Sequence, residues 1–163
     1  MKTDYRVRAE KFAHVLADLF ADCVDLVDFY DAVQRYNTTH RHCAMQIDNG
    51  VSRVAIIRSD YVIKFPRQGY SGWAGNNASE CALYERAKTE GYSHLLAETT
   101  LININGIEII IMPRVRGIGH TCMNTHATCD ELDWLYRNIN DLHPFNYGRR
   151  NGKVCVIDYA FSS

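Results

Sequence analysis

The chain has 163 residues, is 47% hydrophobic and 23% charged, and carries a formal net charge of −1. That is one domain's worth of chain, able to bury a sizeable core, and its near-neutral balance argues against nucleic-acid binding, which normally shows a basic face. No apolar run approaches the roughly 20 residues that span a bilayer, and Met1-Lys2-Thr3-Asp4-Tyr5-Arg6 leads into an amphipathic pattern instead of a signal-peptide core, so a soluble cytoplasmic protein with no membrane partner is expected.

Residues 4–36 read as helix, in two pieces, because Phe12, Val15, Leu16, Leu19, Phe20, Val24, Leu26, Val27 and Val33 recur at helical spacing. Asp18, Asp22, Asp25, Asp28 and Asp31 make an acidic run through this region. A solvated face is the plain reading, and a surface for a basic partner is the second. From Ala44 the texture changes to short β-prone runs at 44–47, 52–57 and 61–65, separated by Asp48-Asn49-Gly50 and Arg58-Ser59-Asp60. Both separators are turn chemistry, so the three runs are expected to form an antiparallel meander.

Gly69, Gly72 and Gly75 punctuate the loop that follows. Residues 78–89 then read as a helix stopped by Gly91. Strands are expected at 101–104 and 107–112 around Asn105-Gly106, with Pro113 opening a linker that holds Gly117 and Gly119. A short helix over 130–139 carries Trp134, and a strand over 154–157 closes the pattern. Ile56, Leu83, Val62, Ile109, Ile111, Val156 and Ile157 are the core candidates.

Six cysteines, Cys23, Cys43, Cys81, Cys122, Cys129 and Cys155, are scattered without a CxxC pair, which suits reduced thiols. His120, Cys122, His126 and Cys129 would supply four zinc ligands within ten residues. Their spacing matches no established zinc template, so reduced thiols and surface histidines are the plainer reading.

The chemistry concentrates near the C-terminus, in Asp141-Leu142-His143-Pro144-Phe145-Asn146 and then Val156-Ile157-Asp158-Tyr159. An Asp and an Asn in one tight loop, followed by an apolar strand ending in a second Asp, can converge on a metal and phosphates. Taken alone, such Asx-rich turns are more often local backbone capping.

The order of elements and motifs resembles the protein kinase-like superfamily, which includes the aminoglycoside and choline phosphotransferases. Val62-Ile63-Lys64 looks like the lysine strand, Asn77-x₂-Glu80 like the start of helix C, Asp141-x₄-Asn146 like the catalytic loop and Ile157-Asp158-Tyr159-Ala160 like the Asp-Phe-Gly element. The similarity covers roughly residues 44–161.

It implies an α+β fold, with a five-stranded antiparallel sheet and one helix as a kinase-like small lobe at 41–115. A helical extension at 1–40 and a reduced second lobe at 116–163 would flank it. It also implies ATP and Mg²⁺ as cofactors. Lys64 would contact the α- and β-phosphates and pair with Glu80, for which Glu85 is the rival. Asp141 would be the catalytic base, and Asn146 and Asp158 would ligate Mg²⁺. Gly50 and Ser52 would cover the phosphates, and Met112, Arg114 and Val115 would form the hinge against which adenine stacks.

Several positions depart from the family pattern. Ile139-Asn140 replaces the usual His-Arg before the catalytic Asp, the phosphate-covering loop has only Gly50, and Ala160 stands where the family has Gly. Five residues follow Asp158, so the activation segment and large helical lobe that bind the acceptor are expected to be missing. In this compact plan the chain is similar to the divergent kinase-like early proteins of T7-type bacteriophages, which would put a viral protein in host cytoplasm.

Two functions follow from the resemblance. One is an ATP-dependent phosphotransferase acting on a protein hydroxyl or a small molecule. The other is a catalytically weak or inactive kinase-like protein that binds and inhibits or redirects a macromolecular partner. A zinc-dependent or nucleic-acid-binding module is a third class, supported only by the His120–Cys129 cluster and Arg114, Arg116, Arg149 and Arg150.

Overall fold

Two hydrophobic clusters organise the chain, one under a five-stranded sheet and one around a small hairpin sheet. The computed structural model describes residues 4–49, 53–67, 76–118 and 123–159. It divides into two units, Met1–Asn77 with Thr100–Arg114, and Ala78–Thr99 with Val115–Ser163.

The first unit starts with helices α1 (Tyr5–Leu19) and α2 (Leu26–Thr39). Asp4 accepts from the Arg6 N–H at 3.1 Å to cap α1. Ala9, Ala13, Leu16 and Ala17 are buried along one stripe of α1, which packs on the sheet. The acidic run is less uniform than a solvated face. Asp25 caps α2, accepting from the Asp28 N–H at 3.0 Å, while the Asp28 carboxylate accepts from Val24 and Asp25 N–H groups at 2.9 and 3.2 Å. Those two backbone donors hold Asp28 below the usual carboxylate range.

The sheet contains β1 (Gln46–Asn49), β2 (Arg53–Ile57), β3 (Tyr61–Pro66), β4 (Thr100–Ile104) and β5 (Ile107–Pro113), ordered β1-β2-β3-β5-β4 and antiparallel throughout. The five expected strands are therefore present. β1 begins at Gln46 instead of Ala44, because the Asn37 amide takes both Met45 backbone groups at 2.8 Å. Asn105 and Gly106 both have positive φ (53° and 84°), the backbone that a two-residue hairpin between right-twisted strands requires.

Val54, Ile56, Ile63, Phe65, Ile109 and Ile111 face the helices and share one core with α1 and α2. Phe20 joins them, 4.9 Å from the Phe29 ring and 5.4 Å from the Phe65 ring. Val62, expected in the core, is only half-buried. The two-residue period puts Ile63 on the helix side and Val62 on the opposite face with Lys64.

α3 (Asn76–Glu90) starts in the first unit and continues into the second, where Leu83 and Ala87 are buried. The helix stops at Gly91 (φ 86°), and the Tyr92 N–H reaches back to the Ala87 carbonyl at 2.7 Å. The second unit also holds β6 (Arg116–Gly117), α4 (Cys129–Asn138), β7 (Tyr147–Arg150) and β8 (Lys153–Val156). The strands form an antiparallel sheet in the order β6-β7-β8.

β6 lies within the stretch expected to be a linker; Arg149 and Arg150 end β7, and the turn after them is Asn151-Gly152, with φ of 50° and 81°. Trp134 stacks on Tyr92 at 5.2 Å and donates its indole N–H to Glu90 at 2.5 Å. Val156 and Leu83 are buried, but Ile157 is only half-buried, where the strand has already ended. Among the described residues, no helix is long and apolar enough to cross a membrane.

Candidate functional site

The Asp141–Asn146 loop is closed by its own hydrogen bonds. α4 begins with a capping box in which Thr128 and Glu131 exchange side-chain and backbone contacts. The helix ends at Ile139, whose N–H returns to the Leu135 carbonyl at 2.8 Å. Residues Pro144–Asn146 then form one 3₁₀ turn, with the His143 ring accepting from the Phe145 N–H at 3.3 Å. The Asn146 N–H donates to the His143 carbonyl at 2.8 Å.

The Asn146 side-chain NH₂ donates to the Asp141 carbonyl at 3.1 Å, and Tyr147 Oη donates to the Leu142 carbonyl at 3.2 Å. With its NH₂ so committed, the Asn146 amide presents Oδ1 as its remaining donor atom for a cation.

The backbone leading to the second Asp is joined to this loop by strand register. β7 and β8 pair Tyr147 with Val156, and the Ile157 N–H donates to the Asn146 carbonyl at 2.7 Å. Asp158 therefore follows directly on the residue bonded to Asn146. The Asp141 and Asp158 side chains are exposed, and Asn146 is half-buried.

Behind Asp158, Tyr159 is 1% exposed and donates its hydroxyl to the Ala97 carbonyl at 2.5 Å, with Thr99 Oγ1 at 3.4 Å. The Ala97 N–H bonds the Val156 carbonyl at 2.7 Å, so Ala97 anchors both sides of the strand end. Burial first, then the nearby Glu80 carboxylate, pushes the Tyr159 phenol well above its ordinary value. No sequence signal marked this anchor: a Tyr after the Asp reads as a motif position, and its hydroxyl partner lies 62 residues earlier.

Gly148 is fitted tightly in the same strand. A Cβ there would collide with the Val115 side chain and would lie 3.1 Å from the Arg116 carbonyl and 3.0 Å from Ile157. Val115, a candidate hinge residue, thus packs directly over β7.

In the first unit, Lys64 is 7% exposed on the sheet face opposite α1 and α2, paired with Ala55 and Ile110. Met112, opposite Val62, shares that face. The Arg114 N–H is already donated to the Asp60 carbonyl at 2.9 Å, and its guanidinium to the Arg58 carbonyl at 3.1 Å.

Glu80, in the second unit, is fully buried, while Glu85 is exposed and paired with Lys88 at 2.8 Å. That separates the two rivals by environment. Gly50 and Ser52 lie outside the described residues, as do His120 and Cys122. No group of three or more His, Cys, Asp or Glu among the described residues could hold a metal, and Cys23, Cys43, Cys81, Cys129 and Cys155 are free thiols. Asn146 Oδ1 and the Asp158 carboxylate are hard oxygen donors, which suits Mg²⁺, an ion that completes its shell with water and phosphate oxygens.

No protein-family model matches the chain, and no curated protein matches it. Among solved structures it is similar to WbdD co-crystallised with the kinase inhibitor LY294002, at 17% sequence identity and a TM-score of 0.44. The match covers 74% of this chain and 33% of that one, so the chain spans about a third of that structure's length.

Proposed function

We propose that the protein is a kinase-like phosphotransferase that uses ATP and Mg²⁺. The observation that supports this reading is the closure of the Asp141–Asn146 loop onto the end of β8, through the Asn146 amide on the Asp141 carbonyl and the Ile157 N–H on the Asn146 carbonyl. Phosphoryl transfer asks mainly for positioning and charge neutralisation, and an exposed base beside two oxygen donors offers both.

Asp141 would accept the proton as an acceptor hydroxyl oxygen bonds to the γ-phosphorus, while the bond to the departing ADP oxygen breaks. Asn146 and Asp158 would hold Mg²⁺, which neutralises charge on the β- and γ-phosphate oxygens. Burial supports a role for Lys64 and Glu80, since Lys and Glu are almost never fully buried unless paired, and neither lacks an interaction partner here. Lys64 would take the phosphates.

The test is transfer of labelled γ-phosphate from Mg-ATP to the protein itself and to a cell lysate, beside Asp158→Ala and Asp141→Ala. Label that disappears in both variants is the expected result. Label that persists in Asp141→Ala would overturn the assignment of the base.

A second reading, a kinase-like protein that works by docking a macromolecule, has its own observation. Val24 and Val27 are 65% and 64% exposed among the aspartates of α1 and α2. No Lys or Arg occurs between Lys11 and Arg35. Exposed valines ringed by acid suit a partner with basic and apolar side chains. Mg-ATP binding without label transfer, read as a raised melting temperature, would favour this reading.

A further inference from the structure

Asn77 occupies the place where the pairing between β3 and β5 ends. The last paired residues there are Lys64 and Ile110. Just beyond them the Asn77 side-chain NH₂ donates to the Lys64 carbonyl at 3.1 Å and to the Glu108 carbonyl at 2.8 Å. Its Oδ1 accepts from Arg53 Nη1, on the first residue of β2, at 3.2 Å. One amide thereby joins the backbones of two strands to a side chain from a third. Asn77 is 2% exposed and Arg53 7% exposed, so water has little access to replace these bonds.

We propose that Asn77 is a positioning residue for Lys64, an inference that rests on the phosphotransferase reading. Ladder pairing to β5 holds the strand up to Lys64 while pairing to β2 runs on to Pro66, and Asn77 supplies the tie to β5 beyond Lys64. Without the amide, two adjacent carbonyl oxygens would face each other with no shared donor, and the strand ends would part. The backbone at Lys64 would then keep its pairing to Ala55 of β2 but lose its tie to β5 beyond Ile110, just where the ammonium must meet phosphate. Arg53 orients the amide by taking its oxygen, which leaves both N–H groups aimed at the carbonyls. In sequence Asn77 marks only the opening of a helix, and its strand partners lie 13 and 31 residues away.

The test compares dissociation constants for Mg-ATP and for adenosine, which lacks phosphates, by calorimetry on the full chain. Wild type, Lys64→Met, Asn77→Ala, Arg53→Met and Ile56→Val are measured well below each melting temperature. Ile56→Val perturbs the same unit from the opposite sheet face. Asn77→Ala is expected to weaken Mg-ATP about tenfold, as Lys64→Met does, and adenosine less than about twofold. Arg53→Met, which keeps both carbonyl bonds, should show the same discrimination at about threefold, and it decides the matter if Asn77→Ala does not fold. Ile56→Val should leave both constants unchanged. Equal losses for Mg-ATP and adenosine, or no loss, would overturn the positioning role while wild-type binding stands. Absence of Mg-ATP binding by the wild type would overturn the phosphotransferase reading and this one with it.

Discussion

Replacing Tyr159 by Phe removes one hydroxyl from the interior of the second unit and leaves the ring that fills it. The hydroxyl donates to the Ala97 carbonyl at 2.5 Å and lies 3.4 Å from Thr99 Oγ1, and both Tyr159 and Thr99 are buried. A net intramolecular hydrogen bond contributes about 1 kcal/mol, and a buried carbonyl left without its donor costs about 1–3 kcal/mol. Only the 2.5 Å bond has strong geometry, so we expect a loss of about 2 kcal/mol. For a chain of this size that corresponds to a fall in Tm of roughly 4–8 °C.

The assay is urea unfolding followed by fluorescence of Trp134, which is 4% exposed in the same cluster. A Trp73→Phe background makes it the sole indole, because the chain has two Trp. The midpoint should move with the slope unchanged. A change below about 0.5 kcal/mol would refute the reasoning, because it would mean that Ala97 finds another donor at no cost.

Gly148→Ala should destabilise the second unit by about 1–3 kcal/mol, since the new methyl meets Val115, Ile157 and the Arg116 backbone together, and the same unfolding assay reads it. Thr128→Ala removes the cap of α4, whose contact to the Glu131 N–H is a long 3.4 Å, and should cost about 0.5–1 kcal/mol by the Trp134 signal.

Stability should fall at alkaline pH. Burial holds the Cys155 thiol up at about 11 from 9.0, and burial likewise raises Cys23, Tyr36, Tyr61 and Tyr159. In each case the unfolded chain loses its proton first, so this stability is complete below about pH 9 and is lost as the pH climbs through the folded-state values. Cys155→Ala should flatten the part of the decline between 9.0 and about 11, measured as Tm against pH.

The strands of the main sheet were legible because their signals are local. The β-branched apolar run in Ile107–Met112 and the Asn105-Gly106 turn need no partner to be recognised, and helix stops such as Gly91 act on their own backbone. The turn at Pro144–Asn146 and the strand before Asp158 were legible too, because turn residues and an apolar run lie in order along the chain.

What only the tertiary structure decided was which groups meet across long stretches of sequence. β6 is two residues long, too short for any periodicity, and exists because Arg116 and Gly117 pair with Arg149 and Gly148. Val62 and Ile63 are equally apolar in sequence, and only the placement of α1 under the sheet chose Ile63 for the core. The buried Asn77 and Tyr159 gain their roles from backbone carbonyls far away in the chain, and a carbonyl leaves no mark in an amino-acid sequence. Side-chain patterns write local structure into the sequence, whereas backbone acceptors become specific partners only once the fold has brought them together.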